Sequence, residues 1–372
     1  MSYTRRTQCI FCKGKTSKNF FREDKDIYIS SNVSNVICKN TIPYNILICN
    51  NCGCYQNLYL GDINLVYSDN HNNVIISDIW IKHYDAFYIF ITNTKHLINK
   101  SNILEIGAGN NYIVDLFLSN GYNNYTILEP VITNKNDGVK YISGWLEEYT
   151  TDERFDITIL SHVFEHLYNP DVLFNIKTKY IAISIPNIPR YVDNDISNFL
   201  NIEHTFYFEE EHITTLFNNN KFKLIEKGYY KDHSIFLLFE NDNTLNLTSY
   251  SHIDINNIDR KLNLYFNKIM KLITHINSYT STLEKKFALF PCNMYVQYLV
   301  TLGLNIKNIA YFYDNNVSKL DKYLYGTDII CKNLDFYVEN NEYEIILIGF
   351  LYNQEIISVL NNNNIKYYLP SD

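Results

Sequence analysis

The run Ile103-Leu-Glu-Ile-Gly-Ala-Gly-Asn-Asn111 constrains the fold most. An apolar strand leads straight into Gly107 and Gly109, a helix follows over 112–119, and Gly121 closes it. The glycines let backbone approach a ligand, and the helix start offers unpaired N–H donors. The alternation then continues. Strands are expected over 125–128, 139–143, 155–161 and 179–185. Helices are expected from near Pro170 and over 209–217, and a hairpin over 222–230 and 233–240 turns at Lys231-Asp232. Strands alternating with helices imply a parallel sheet, here with antiparallel strands at one edge.

Around this α/β unit, 101–240, the chain divides further. Residues 1–60 hold six of the eight cysteines, and 61–100 form a connecting, partly helical segment. Residues 241–286 comprise a polar linker and a long helix. Its apolar positions Ile258, Leu262, Phe266, Ile269, Ile273 and Ile276 recur at three- and four-residue steps. A second, smaller α/β unit occupies 287–372. In the cysteine-rich part, Cys9-Ile-Phe-Cys12 and Cys49-Asn-Asn-Cys52 form two CxxC pairs. That spacing suits a structural zinc ion held by four thiolates with no open position. Gly53 permits the tight turn of the second pair, and Cys38 and Cys54 are rival ligands.

Composition narrows the functions. Lys and Arg number 32 against 40 Asp and Glu, a net charge of −8 with no basic block. That argues against nucleic acid and against anionic lipid as partners. No apolar run is long enough to span a membrane, and the amino terminus lacks the apolar core of a signal peptide, so a cytoplasmic protein is expected. Oligomeric state is open.

Two ligands compete for the glycine turn. A dinucleotide fingerprint wants a third glycine at position 112, where Tyr stands. Glu105 in the strand, Gly107-Ala108-Gly109 and Glu129 at the end of the next strand instead resemble motifs I and II of class I methyltransferases dependent on S-adenosylmethionine (SAM). In that family the third glycine falls at Asn111, and Asn tolerates left-handed backbone. Ser161-His162-Val-Phe-Glu165-His166 is similar to the fourth-strand motif of the same superfamily. Glu203-His204, ahead of an aromatic run, resembles a segment of its sugar methyltransferases. The whole order, with a zinc module, a SAM domain and a small Rossmann-like domain (Tyr313–Lys319, Tyr325–Ile329 and 349–356), resembles the nucleotide-sugar C-methyltransferases.

The resemblance implies SAM held by Glu105, Gly107, Ala108, Gly109, Glu129, Ser161 and His162, with Trp145 either stacking on adenine or filling core. It implies a small nucleotide-sugar acceptor, His204 as base oriented by Glu203, and His166 as a second acid/base. The chain departs from the family at Asn201, where a tyrosine is usual, and at Pro291–Tyr295, where a Gly-Ala-rich loop with a lysine is usual. Methylation at carbon or oxygen therefore stays open. A nucleic-acid methyltransferase, a non-catalytic scaffold and a dehydrogenase are the competing readings, in falling order.

Overall fold

The computed structural model describes residues 3–15, 18–19, 26–28, 33–37, 41–67, 78–93, 96–132, 134–196, 199, 201, 203–250, 253–340, 344–348 and 353–370. Cys38 and the first half of the 349–356 motif, 349–352, lie outside them.

Strands β1 (Ile46–Ile48) and β2 (Tyr55–Asn57) flank the second cysteine pair. Helix α1 (Asp78–Asn93) leads to β3 (Ile103–Ile106), α2 (Tyr112–Ser119), β4 (Tyr125–Leu128), β5 (Lys140–Ile142), β6 (Arg154–Ser161) and β7 (Lys177–Pro186). A two-residue strand β8 (Phe206–Tyr207), helix α3 (Glu210–Asn219) and the hairpin β9 (Phe222–Tyr230) and β10 (Ser234–Asn241) complete this part. Among the described residues the central sheet runs β5-β4-β3-β6-β7-β10-β9. Strands β3 to β7 are parallel, and β10 is antiparallel to both β7 and β9.

Both faces of this sheet are buried, as a helix-covered parallel sheet requires. Successive residues alternate between two cores. Leu104, Ile106, Leu160, Ile181 and Ile183 pack on one side with Ile213 and Phe217 of α3. Ile103, Ile157, Ile159 and Ala182 pack on the other with Phe87 of α1 and Phe117 of α2. Each such side chain contributes roughly 1.5–3 kcal/mol by leaving water. Strand order reverses at β3, whose neighbours are β4 on one side and β6 on the other. The crevice of an α/β sheet opens there, beyond the carboxyl ends of the strands.

Several elements differ from expectation for local reasons. The segment from Pro170 is a 3-10 turn, Pro170–Asn175, capped by the Asn169 side chain and ended by the early start of β7. A short helix, Ile188–Asp193, follows β7 with Pro189 in its first turn. The aromatic run 206–208 is buried, as core packing expects. It also forms β8, which pairs antiparallel with β2 in the sheet of the cysteine-rich part.

Past the hairpin, α4 (Ile255–Ser281) starts three residues earlier than its apolar stripe, where the Asp254 side chain accepts from Asn257 N–H at 3.0 Å. Then β11 (Phe287–Phe290), α5 (Met294–Leu302), β12 (Ile309–Tyr313), β13 (Cys331–Lys332), β14 (Glu344–Leu347), α6 (Asn353–Asn362) and β15 (Tyr367–Tyr368) build a second parallel sheet, ordered β13-β12-β11-β14-β15. A turn through Gly326, at φ 86°, precedes β13. Among the described residues no helix is long and apolar enough to cross a membrane.

Candidate functional site

The turn after β3 is built by backbone that only particular residues allow. Gly107 has φ 71° and its N–H donates to Leu128 O at 2.9 Å, tying the turn to β4. A Cβ there would lie 2.5 Å from Val163 Cγ2, so a side chain at 107 collides with the segment after β6. Gly109, at φ 57°, faces open space, and its N–H donates to Glu129 Oε2 at 3.2 Å. Asn111, at φ 64°, stands where a third glycine is usual. Its amide donates to Asn134 O at 3.1 Å and Tyr141 Oη at 3.2 Å, which anchors the left-handed residue.

These residues form one wall of a cavity of about 380 Å³ at the sheet's switch point. That size suits a cofactor. Glu129 lines it, and its other oxygen accepts from Val131 N–H at 3.3 Å. Trp145 also lines it. Its indole N–H donates to Asn64 Oδ1 at 3.3 Å and its ring lies 5.5 Å from Tyr67, so Trp145 is wall and not core. His162 lines the cavity in a left-handed conformation, φ 52°.

Other expected cofactor residues lie elsewhere. Ala108 is half-buried and packs against the α1–α2 side of the core. The Glu105 side chain is buried beneath the turn, where it accepts from Tyr125 Oη at 2.8 Å, and burial pushes its carboxyl up to about 8. It shapes the strand and does not reach the cavity. Ser161 is not among the lining residues, and its Oγ has no hydrogen-bond partner among the described residues.

The facing wall carries the acid/base groups. His166 lines the cavity, and its Nδ1 shares a 2.7 Å hydrogen bond with Tyr67 Oη. Behind it is Glu165, fully buried, whose carboxyl burial pushes up to about 7. Its Oε1 lies 3.2 Å from His162 Nδ1, 3.9 Å from His166 Nε2 and 4.0 Å from His204 Nε2. His204 is not a lining residue. Its ring meets His166 edge-on at 5.0 Å, and burial pushes its pKa down to about 3. Glu203 lies 3.9 Å from His166 Nδ1, and Glu165 is a carboxylate near His204.

Sequence reasoning missed Tyr67 and Glu165's central place. Tyr67 follows a four-residue helix, Ile63–Val66, ninety-nine residues from its partner, and no local pattern marks it. Asn201, where a tyrosine is usual, is a turn residue. Its Oδ1 accepts from Glu203 N–H at 2.9 Å and its carbonyl from Tyr207 Oη at 3.1 Å.

At the other end of β2, Cys9, Cys12, Cys49 and Cys52 converge. Their sulfurs all lie within 4.8 Å of one another, with Cys9–Cys52 at 3.4 Å and Cys12–Cys49 at 3.5 Å. Disulfide sulfurs would be about 2.05 Å apart. Four thiolates at about 2.3 Å from one tetrahedral ion are separated by about 3.8 Å, so the cluster is compatible with zinc. Cys54 is outside it, its thiol directed at the carbonyls of Tyr55 and Tyr207.

No family model matches the chain, and no curated protein matches it. Solved structures similar to part of it include a 1,6-didemethyltoxoflavin-N1-methyltransferase from Burkholderia thailandensis with bound S-adenosylhomocysteine. The two are 13% identical over 45% of this chain and 82% of that one, with a TM-score of 0.35. Magnesium protoporphyrin IX methyltransferase from Synechocystis PCC 6803, also with bound S-adenosylhomocysteine, is 11% identical over 45% of this chain and 85% of that one, again at a TM-score of 0.35. Likeness of this degree assigns neither family nor substrate, so function is read from the cleft itself.

Proposed function

We propose that this protein is a SAM-dependent methyltransferase that acts on a small hydroxylated or keto acceptor, a nucleotide-linked sugar being the acceptor the sequence resemblance favours. One observation carries the reading. A glycine turn, a strand-end carboxylate and a histidine–tyrosine pair line a single cavity. Glu129 is placed to accept from the two hydroxyls of a ribose, while the open face of Gly109 and the start of α2 leave room for the rest of the nucleoside. When bound, SAM supplies an electrophilic methyl group on a sulfonium.

The chain's part is then to hold the acceptor and take its proton. His166 is the base in this reading, because it is the histidine of the pair that reaches the cavity. Tyr67 also lines the cavity and bonds Nδ1, so the acceptor's proton passes to the Tyr67 hydroxyl as that hydroxyl gives its own proton to Nδ1, while Nε2 lies 3.9 Å from Glu165. His204 serves behind it as a positioning group. Among the described residues no Lys or Arg lines the cavity, which suits an uncharged portion of the acceptor beside the methyl. The four-cysteine cluster holds a structural zinc ion in the same reading.

Calorimetry with SAM tests the cofactor. Micromolar binding that is weakened in Glu129→Ala is expected, and no heat with SAM overturns the reading. Mass spectrometry of keto and hydroxy nucleotide sugars incubated with SAM then identifies the acceptor by a gain of one methylene unit.

A further inference from the structure

Three imidazoles meet beside the cleft from distant parts of the chain: His83 on α1, His162 just after β6 and His233 in the β9–β10 turn. One ring nitrogen of each lies within 4.8 Å of those of the others. Their ring centroids are separated by 5.0 Å (His83–His162), 5.3 Å (His162–His233) and 5.6 Å (His83–His233). Three imidazoles on one tetrahedral ion, with metal–nitrogen bonds of about 2.0–2.1 Å, place their centroids about 5 Å apart.

The surroundings are also those of a ligand set. A metal-bound histidine commonly uses its second nitrogen to bond a carboxylate or other polar group that fixes the ring. His83 Nε2 is 2.8 Å from Ser184 Oγ, His162 Nδ1 is 3.2 Å from Glu165 Oε1, and His233 Nδ1 is 2.6 Å from Ser234 Oγ. His83 Nδ1 is fully buried with no hydrogen-bond partner among the described residues, an uncommon condition for a polar atom. His162 Nε2 lies 2.8 Å from Ser234 Oγ, a hydroxyl that His233 already occupies. Trp80 stands near-perpendicular to all three rings, at 5.2 Å from His83, 4.9 Å from His162 and 5.0 Å from His233. The left-handed backbone of His162 costs of order 1–3 kcal/mol and persists where its surroundings dictate the side chain's position.

We propose that His83, His162 and His233 form a second metal site, distinct from the four cysteines, for a divalent ion that prefers imidazole, with zinc as the probe. The ion ties α1, the end of β6 and the hairpin turn together at the edge of the cavity. With water as the fourth ligand, the ion's role is to hold His162 in the cavity wall. This proposal is independent of the methyl-transfer reading, and its test requires neither SAM nor an acceptor.

The test is a metal count. Full-length protein made in zinc-supplemented medium is desalted and zinc per chain is measured for wild type, His83→Gln, His233→Asn and Cys52→Ser. Each histidine variant is expected to hold one equivalent fewer than wild type. In protein grown with cobalt, the thiolate-to-cobalt absorption persists in both histidine variants and is lost in Cys52→Ser. His233 is half-buried in a turn that follows the exposed Lys231 and Asp232, whereas His83 is fully buried, so His233→Asn remains informative if His83→Gln fails to fold. An unchanged zinc count in His233→Asn, or a wild type holding no more zinc than the four cysteines account for, overturns the proposal.

Discussion

Replacing either of the two turn glycines with alanine separates what each one does. At Gly107 alanine meets two costs. Left-handed backbone costs an L-residue about 1–2 kcal/mol. The new methyl also lies 2.5 Å from Val163 Cγ2, and valine is stiff at χ1, so the segment after β6 must shift at an overpacking cost of about 1–3 kcal/mol. The expected loss is about 2–5 kcal/mol of folding stability, read from urea unfolding followed by circular dichroism. At Gly109 the first cost applies alone, since nothing lies within 4 Å of the added carbon. Gly109→Ala should therefore lose about 1–2 kcal/mol. That methyl projects into the cavity, and SAM affinity by calorimetry should fall tenfold or more, about 1.4 kcal/mol. Gly107→Ala within 0.5 kcal/mol of wild type would refute the collision argument. Gly109→Ala that binds SAM as wild type does would refute the placement of the cofactor against this turn.

Tyr67→Phe removes the 2.7 Å hydrogen bond to His166, and should lower turnover at least tenfold with SAM affinity kept; equal turnover would remove Tyr67 from the site. Glu105 gives a pH test. Its folded pKa, raised to about 8, lies above the ordinary 4.5, so its contribution to stability is full below pH 4.5 and is lost as pH rises through 8. Glu105→Gln, which keeps an acceptor for Tyr125, should flatten that decline and be more stable than wild type at pH 9. Parallel pH–stability curves for the two proteins would contradict this. Cys52→Ser should lower the melting temperature and remove thiolate-to-cobalt absorption, and an unchanged melt would deny the cluster a structural part.

The sheet was legible because its signals are local. Apolar runs such as 125–128 and 155–161, broken by glycine or proline, need no knowledge of the rest of the chain. The glycine turn and Glu129 were legible for the same reason, since a strand, a turn and the next strand end fall within thirty residues. The two CxxC pairs were readable through spacing. What escaped depends on contacts across long separations. Nothing near Tyr67 announces a partner at 166, and nothing near His83 announces 162 and 233. Glu105 misled because a strand's side chains alternate. Motif membership places it at the turn, but its side chain points beneath the turn, to Tyr125.

The pairing of β8 with β2 ties the cysteine-rich part to the segment that carries His204. Asn57 reaches across to the carbonyls of His204 and Thr205, and Arg6, buried and bonded to Thr205 O at 2.6 Å, grips the same stretch from the other side. A shortened protein beginning after the cysteines would thus lose the scaffold beneath His204 along with the four-cysteine cluster, and adding back the missing piece in trans would have to rebuild a strand pair and not merely a surface contact.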